Sequence, residues 1–555
     1  MPGAVSSGPD RPQWEAFSVG PSPTSSLDLT EDAIGSMNTR HGEMRRPGAG
    51  YARAFLVESS ENDFDSALMK GSSMSVLIRL GFVPSYRFQW TAWTAKMRED
   101  SYRALRSLPG VAQVVMPQPA ADGAMLDAER GVTPFGAVHD LDEAEAVAEY
   151  FRQQKVDGLV LCPLDFGDER SAAKIAAQLG VPVLLYATKE PAGLPGPAMA
   201  RQSDSYCGNL SMASALYRRK IPFHFAGIFF PDEPEFAAAV EPFVRAVAVV
   251  KGLRGARVGQ VGVRPVTFET VGYDEHALAF KFGQNVIYAN LDDIVDAARR
   301  YADDDAQVAE TMASVRTEFK QITVAAPYLR NAAKLELALT EFWRRSKLSA
   351  LAVQCWPAIQ RMMGISVCNV YSRLTDRGMF TACEADVLGA EAMLICYQAA
   401  LGATVPHFID WTIQHRDNPD WLLAWHCGNA PASLAADLGQ TALRSRKDMA
   451  GAMPIPDADP QAGLNQFQIR PGKVTLCRLA EYDNRWKLLI TTGEIIPSDE
   501  TLAGTWSWVE VKDHARLYRT LVEEGFVHHA SMIHGDWSEA LRLACKFLDI
   551  APVVV

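Results

Sequence analysis

Residues 156–186 read VDGLVLCPLDFGDERSAAKIAAQLGVPVLLY. Two short apolar runs, VDGLVLC (156–162) and VPVLLY (181–186), flank ERSAAKIAAQL (169–179), whose apolar positions recur at the helical period. Neither run alternates polar with apolar residues, which is the pattern of a strand covered on both faces. Buried strand, helix, buried strand in that order is a βαβ unit, and such units build parallel sheets.

Working outward, MSVLIRL (74–80) and VAQVVM (111–116) read as strands, with TAKMREDSYRALRSL (94–108) and EAEAVAEYFRQQ (143–154) as helices between and after them. A second unit of the same kind starts near Phe223 with FHFAGIFF and continues through an Ala/Val helix, RVGQVGV (257–263), a helix around Asp274 to Phe282, and NVIYANL (285–291). A long amphipathic helix over Pro327–Lys347 leads into SALAVQCW (349–356), one more buried strand. Beyond about residue 385 the text changes to a long apolar helix, GAEAMLICYQAALGA (389–403). Strands ending in FID and LLAWH follow, then a strand-rich stretch from Phe467 to Val511 and two closing helices.

The expected fold is α/β, with two doubly wound Rossmann-like domains over 74–205 and 206–385. A C-terminal α+β domain with a strand-rich, barrel-like part covers 386–555. Residues 1–50 are rich in Gly, Pro, Ser and Thr without apolar periodicity and read as a disordered extension or an upstream start-site artefact.

The 555 residues, 48% hydrophobic, suffice for about three ordinary domains. A net charge of -12 argues against nucleic acid or an anionic membrane as the main partner. The nine cysteines are scattered and form no CxxC, the usage of reduced thiols in a cytoplasm. No apolar run approaches the ~20 residues of a membrane span.

Seven of eleven histidines (407, 415, 426, 514, 528, 529, 534) lie in the last 155 residues. The same region holds Asp410 at the end of the buried strand TVPHFID, with Glu384 just before it in the apolar context TACEADVLGAEAML. An ionised carboxylate in such a place costs several kcal/mol unless a cation or dense hydrogen bonding compensates. A metal would do so. Taken singly, each residue also has a bland reading: a Glu favouring a helix macrodipole, an Asp capping the next helix, a His hydrogen-bonded in a core.

The ordered runs CWPAIQ (355–360), TACEADVLGAEAML (381–394), HFIDW (407–411), LLAWHCGNAP (422–431) and GFVHHASMIHGDW (525–537) resemble the L-fucose and L-arabinose isomerase superfamily. SDSYCGNLSMASAL (203–216) and RVGQVGVRPVTFETVGYDEHAL (257–278) resemble that family's N-terminal domains, so the likeness spans nearly everything after residue 74. The resemblance implies a metal-dependent aldose–ketose isomerase acting on a sugar or deoxy sugar, assembled as a homo-oligomer (trimer or hexamer). It implies Mn2+, or another divalent ion such as Co2+ or Mg2+, held by Glu384, Asp410 and His529. The four-ligand variant of the family adds a position at or near His426. His528 and His529 are adjacent, and the register prefers the second.

Carboxylate and imidazole donors suit such ions better than an all-thiolate set, and Cys383 and Cys427 read as packing. The reaction moves a proton between C1 and C2 of the open sugar through an enediol, whose negative charge an ion bridging O1 and O2 stabilises. The resemblance gives Glu384 and Asp410 the roles of base and acid. Candidates for contact with the sugar are Arg264 and Tyr273, after a parallel strand where ligands usually meet such a sheet, together with Gln354, Trp356 and Trp506.

Two other readings stay open. One is a metal-dependent lyase or epimerase of a phosphorylated or sulfonated sugar, whose anionic tail Arg361 or Arg373 would meet; the other is a non-catalytic sugar-binding protein.

Overall fold

The quoted βαβ unit forms as strand Gly158–Pro163, helix Glu169–Leu179 and strand Val183–Thr188, both strands buried at every position. Asp168 caps the helix N-terminus by accepting from the amides of Arg170 and Ser171, and Gly180 ends it in the left-handed conformation, with φ 62°. The computed structural model describes residues 75–121, 125–191, 201–445 and 463–555. The extension read over 1–50 lies outside them.

The unit is part of a five-stranded parallel sheet, ordered Val111–Val115, Ile78–Ser85, Gly158–Pro163, Val183–Thr188, Phe223–Phe229. The last strand corrects the sequence reading, which placed FHFAGIFF at the start of a second unit. Helix Ser205–Arg218 carries the chain back to the same sheet, and a short apolar run does not say which of two parallel sheets it joins.

A smaller parallel sheet follows, ordered Thr381–Ala382, Ala350–Val353, Arg257–Val261, Asn285–Ala289. Helix Pro234–Leu253 precedes it, with Phe236, Val240, Phe243, Val247 and Val250 all buried. This helix packs on helices Val387–Ala399 and Ser538–Leu548.

The C-terminal strands form a large sheet that closes on itself. Thr505–Val511, Trp421–His426, His407–Gln414, His529–His534, Gly472–Tyr482 and Arg485–Ile496 pair antiparallel in that order, and the last pairs back to the first. The barrel-like part expected from sequence is this ring. Helix Val387–Ala399 is buried at every position but Gln398 and packs against both barrel strands (472–482, 529–534) and the small sheet's strand Ala350–Val353. A helix buried on all its faces is enclosed by its neighbours, and this one, apolar but for Glu391 and Gln398, is the shared core between sheet and barrel. Among the described residues, no helix is long and apolar enough to cross a membrane.

Candidate metal centre

The small sheet's edge strand Thr381–Ala382 ends where the chain turns through Glu384 (φ 58°) and Ala385 (φ 53°). Two successive non-glycine residues in the left-handed region cost about 1–3 kcal/mol each and persist only where the surroundings impose them. Here the Ala385 amide donates to the Val353 carbonyl (3.1 Å) and that of Asp386 to the Cys383 carbonyl (3.1 Å). Asp386 then caps helix Val387–Ala399 by accepting from the Gly389 amide at 2.9 Å.

The turn aims Glu384 and Asp386 at the two nitrogens of one imidazole. His529 Nδ1 lies 2.8 Å from Asp386 Oδ2, and His529 Nε2 lies 3.0 Å from Glu384 Oε2. Asp386 is fully buried and also accepts both arms of the Arg478 guanidinium, at 2.5 and 3.0 Å. His529 opens barrel strand His529–His534, where it is the register partner of Asp410 on strand His407–Gln414. Asp410 Oδ1 is 3.6 Å from His529 Nε2.

His426, at the end of strand Trp421–His426, groups with Glu384 and His529, their donor atoms all within 4.8 Å of one another. Asp410, His528 and His529 form an overlapping group by the same measure. His528 is partly exposed; His426 and His529 are buried.

Electrostatically the two carboxylates differ. Burial opposes ionisation of Glu384, but the neighbouring imidazoles of His529 and His426 outweigh it and hold the carboxyl down to about 2. Burial dominates at Asp410 and lifts it to about 6. Burial also opposes the charge on His529, yet Asp386 and Glu384 carry it up to about 9; for His426, Cys427, Asp410 and Glu384 do the same, to about 10. His407, by contrast, is a neutral core histidine held down to about 3 by burial.

The donor set fits a divalent cation. Glu384 Oε2 and Asp410 Oδ1 are buried oxygens with no hydrogen-bond partner among the described residues, a costly arrangement for carboxylates unless a cation takes their lone pairs. Two carboxylates and two imidazoles are the hard-to-borderline ligands that Mn2+, Co2+ and similar ions accept.

Of the other residues singled out from sequence, Trp356 reaches the centre, its indole N–H donating to Glu384 Oε1 at 3.3 Å. Gln354 accepts from the Val263 amide (3.3 Å) and so ties down the loop after strand Arg257–Val261. Arg264, on that loop, is exposed and has no ion-pair partner among the described residues. Tyr273 instead bonds Gln260 and Tyr288. Trp506 pairs in register with Trp425 and packs with Leu423 and Trp508; at 2% exposure it is a core residue and offers no face to a sugar.

Arg373 is also corrected as an anion site: it is buried, with its charge paired to Glu336 and Glu318. Arg361 is exposed. Cys383 is buried as packing, whereas Cys427 also touches a proposed ligand, its Sγ 3.5 Å from His426 Nδ1.

Three residues escaped the sequence reading. Phe268 places its ring 5.6 Å from Trp356, 5.3 Å from His528 and 6.4 Å from His529, centroid to centroid. Asp386 reads as an ordinary helix cap. The signal for Arg478 was an arginine inside the apolar strand VTLCRLA, which requires a buried counter-charge.

The family model described as fucose/sulfoquinovose isomerase, N-terminal domain, matches residues 113–254, and the one described as L-fucose isomerase, C-terminal domain, matches 424–554. The chain is 27% identical over 403 residues to a sulfoquinovose isomerase of Alkalicoccus urumqiensis, covering 72% of this chain and 86% of that protein. It is 24% identical over 426 residues to the sulfoquinovose isomerase of Priestia megaterium, covering 76% and 90%. A sulfoquinovose isomerase of a Clostridium species is 26% identical over 401 residues, covering 71% and 85%.

Proposed function

Because this chain belongs to the fucose isomerase-like superfamily, and is thereby an aldose–ketose isomerase, we propose that it interconverts a sulfonated aldose of the sulfoquinovose type and its ketose at a divalent metal centre. The ligands in this reading are Glu384, Asp410, His529 and His426, and the ion is Mn2+, with Co2+ or Mg2+ as substitutes. What carries the reading is the pair of unpartnered oxygens, Glu384 Oε2 and Asp410 Oδ1, that face the same imidazole nitrogen.

A divalent ion there supplies the positive charge that stabilises the enediol's developing negative charge. Asp410, lifted to about 6 by burial, is suited to take the proton from C2 and return it to C1 near neutral pH. Glu384 stays ionised and serves the accompanying transfer between O2 and O1. Trp356 and Phe268 wall the centre and exclude water from it, while Arg264 stands on the adjoining loop as the cation for the sulfonate. The reading includes a cytoplasmic location, which nine free cysteines suit, and a homo-oligomer.

The experiment is incubation of Mn2+-loaded protein in D2O with sulfoquinovose, glucose and fucose, followed by NMR. Ketose formation from the sulfonated sugar, with solvent deuterium at the exchanging carbon, is the expected outcome. Turnover of the neutral sugars alone would reject the substrate, and full activity after stoichiometric removal of metal would reject the centre.

A further inference from the structure

We infer that Asp386, backed by Arg478, is a positioning residue that fixes the tautomer of His529 and so presents Nε2 as a bare donor to the ion. This rests on the metal-centre reading above and goes beyond it, since neither residue is itself a ligand.

Arg478 offers only N–H donors. Its two terminal nitrogens occupy both Asp386 oxygens, Nη1 on Oδ2 at 2.5 Å and Nη2 on Oδ1 at 3.0 Å. The Gly389 amide takes a further position on Oδ1 at 2.9 Å. The carboxylate is therefore held in one rotamer with its charge neutralised, and the remaining lone pair of Oδ2 is the acceptor 2.8 Å from His529 Nδ1.

An acceptor there demands a proton on Nδ1, and a neutral imidazole with Nδ1–H has its lone pair on Nε2. That nitrogen is the one that faces Glu384 Oε2 and Asp410 Oδ1. A histidine bonded through one nitrogen to a carboxylate and open at the other is how proteins orient an imidazole ligand.

The unusual turn acquires a reason here. Residues 384 and 386 approach opposite nitrogens of one ring because Glu384 and Ala385 both take positive φ. The strained segment thus places a ligand and the partner of another ligand with a single turn of chain. Arg478 comes from barrel strand Gly472–Tyr482, so barrel and turn are locked together at this carboxylate.

The test is Asp386→Asn, compared with the unmodified protein by Mg2+ and Mn2+ titration calorimetry and by 15N NMR of labelled imidazoles in the Mg2+-loaded form. In the variant Oδ1 remains with the Gly389 amide and Arg478 Nη2, and the amide nitrogen replaces Oδ2 and gives up the bond from Arg478 Nη1. Its N–H groups then face Nδ1, which becomes an acceptor and drives the proton to Nε2. Metal affinity is expected to fall roughly 10- to 100-fold, with the His529 signal changing from protonated Nδ1 to protonated Nε2.

An Asn variant that binds metal as the parent does and keeps Nδ1–H overturns the inference. Should the variant not fold, the parent alone decides: its loaded form must show one histidine with protonated Nδ1 and unprotonated Nε2 that disappears on His529→Gln. Absence of that signal in a parent that binds metal refutes the positioning role, whereas a parent that binds no ion refutes the metal centre itself.

Discussion

Glu384 Oε2 stands 3.0 Å from His529 Nε2, and Asp410 Oδ1 approaches the same nitrogen at 3.6 Å. The imidazole proton lies between these anions, and a divalent ion that displaced it would take the three side chains as ligands, so the variants at this point divide by role. His529→Ala is expected to weaken Mn2+ binding ~10-fold or more, while His528→Ala, which changes a partly exposed ring at the rim, keeps the metal. Glu384→Gln and Asp410→Asn preserve shape but remove charge, and each is expected to lower turnover at least ~100-fold. Metal analysis beside initial rates checks this; loss of metal in the His528 variant alone would shift the ligand by one position.

Metal binding is expected to depend on pH through the histidines. His529 and His426 are held up to about 9 and 10 by the surrounding anions, so each carries a proton at neutral pH that an incoming ion must displace. Affinity therefore rises with pH from about 6 towards 9, by up to tenfold per unit for each histidine that ligates. Calorimetry at pH 7 in buffers of different ionisation enthalpy counts the protons: two released supports four protein ligands, and one supports His529 without His426. No proton release would contradict both.

Much of this was legible in the chain because each feature had a local cause. The buried strands and helices of 156–186 announce themselves by period, and Glu384, Asp410, His426 and His529 stand out as ionisable groups in apolar text. The structure groups Glu384 and His426 with His529, and Asp410 and His528 with the same His529. What stayed hidden depends on register between distant segments: Asp386 and Arg478 lie 92 residues apart, and nothing near either names the other. Trp506 failed as a sugar contact for a related reason, since only the pairing of Trp506 with Trp425 reveals a tryptophan cluster in the core. FHFAGIFF joins the first sheet and not the second because its own residues specify a strand and not which neighbour it takes.

Specificity for an anionic tail is expected to reside in Arg264. Its loop is anchored by Gln354 and ends in Phe268 against the centre, leaving the guanidinium exposed and, among the described residues, without a carboxylate partner. A hydrogen bond to a charged group contributes about 1.5–3 kcal/mol, so Arg264→Ala is expected to lower kcat/KM for a sulfonated aldose roughly 10- to 100-fold. Turnover of a neutral aldose should change little, and added salt should weaken the parent towards the variant. Equal losses on charged and neutral sugars would show that the residue supports the loop instead of reading the charge.

The last prediction concerns stability. Glu391 is fully buried in helix Val387–Ala399, and among the described residues neither its oxygens nor the side-chain oxygen of buried Gln284 has a hydrogen-bond partner. Burial raises the Glu391 carboxyl from 4.5 to about 8. Below 4.5 the folded and unfolded chains are both protonated here, and the group exerts no pull. Between 4.5 and about 8 the unfolded chain ionises while the folded one stays neutral, so stability falls as pH rises, at roughly 1.4 kcal/mol per unit within that window. Above about 8 both states are ionised and the difference stops growing. Glu391→Gln keeps the volume, removes the titration and offers an amide donor to Gln284. Thermal unfolding of parent and variant side by side should therefore show similar Tm values near pH 5, a gap in favour of the variant that widens to pH 8, and a constant gap beyond. A gap that does not change with pH would mean that Glu391 is ionised in the folded protein and has a partner that neutralises it.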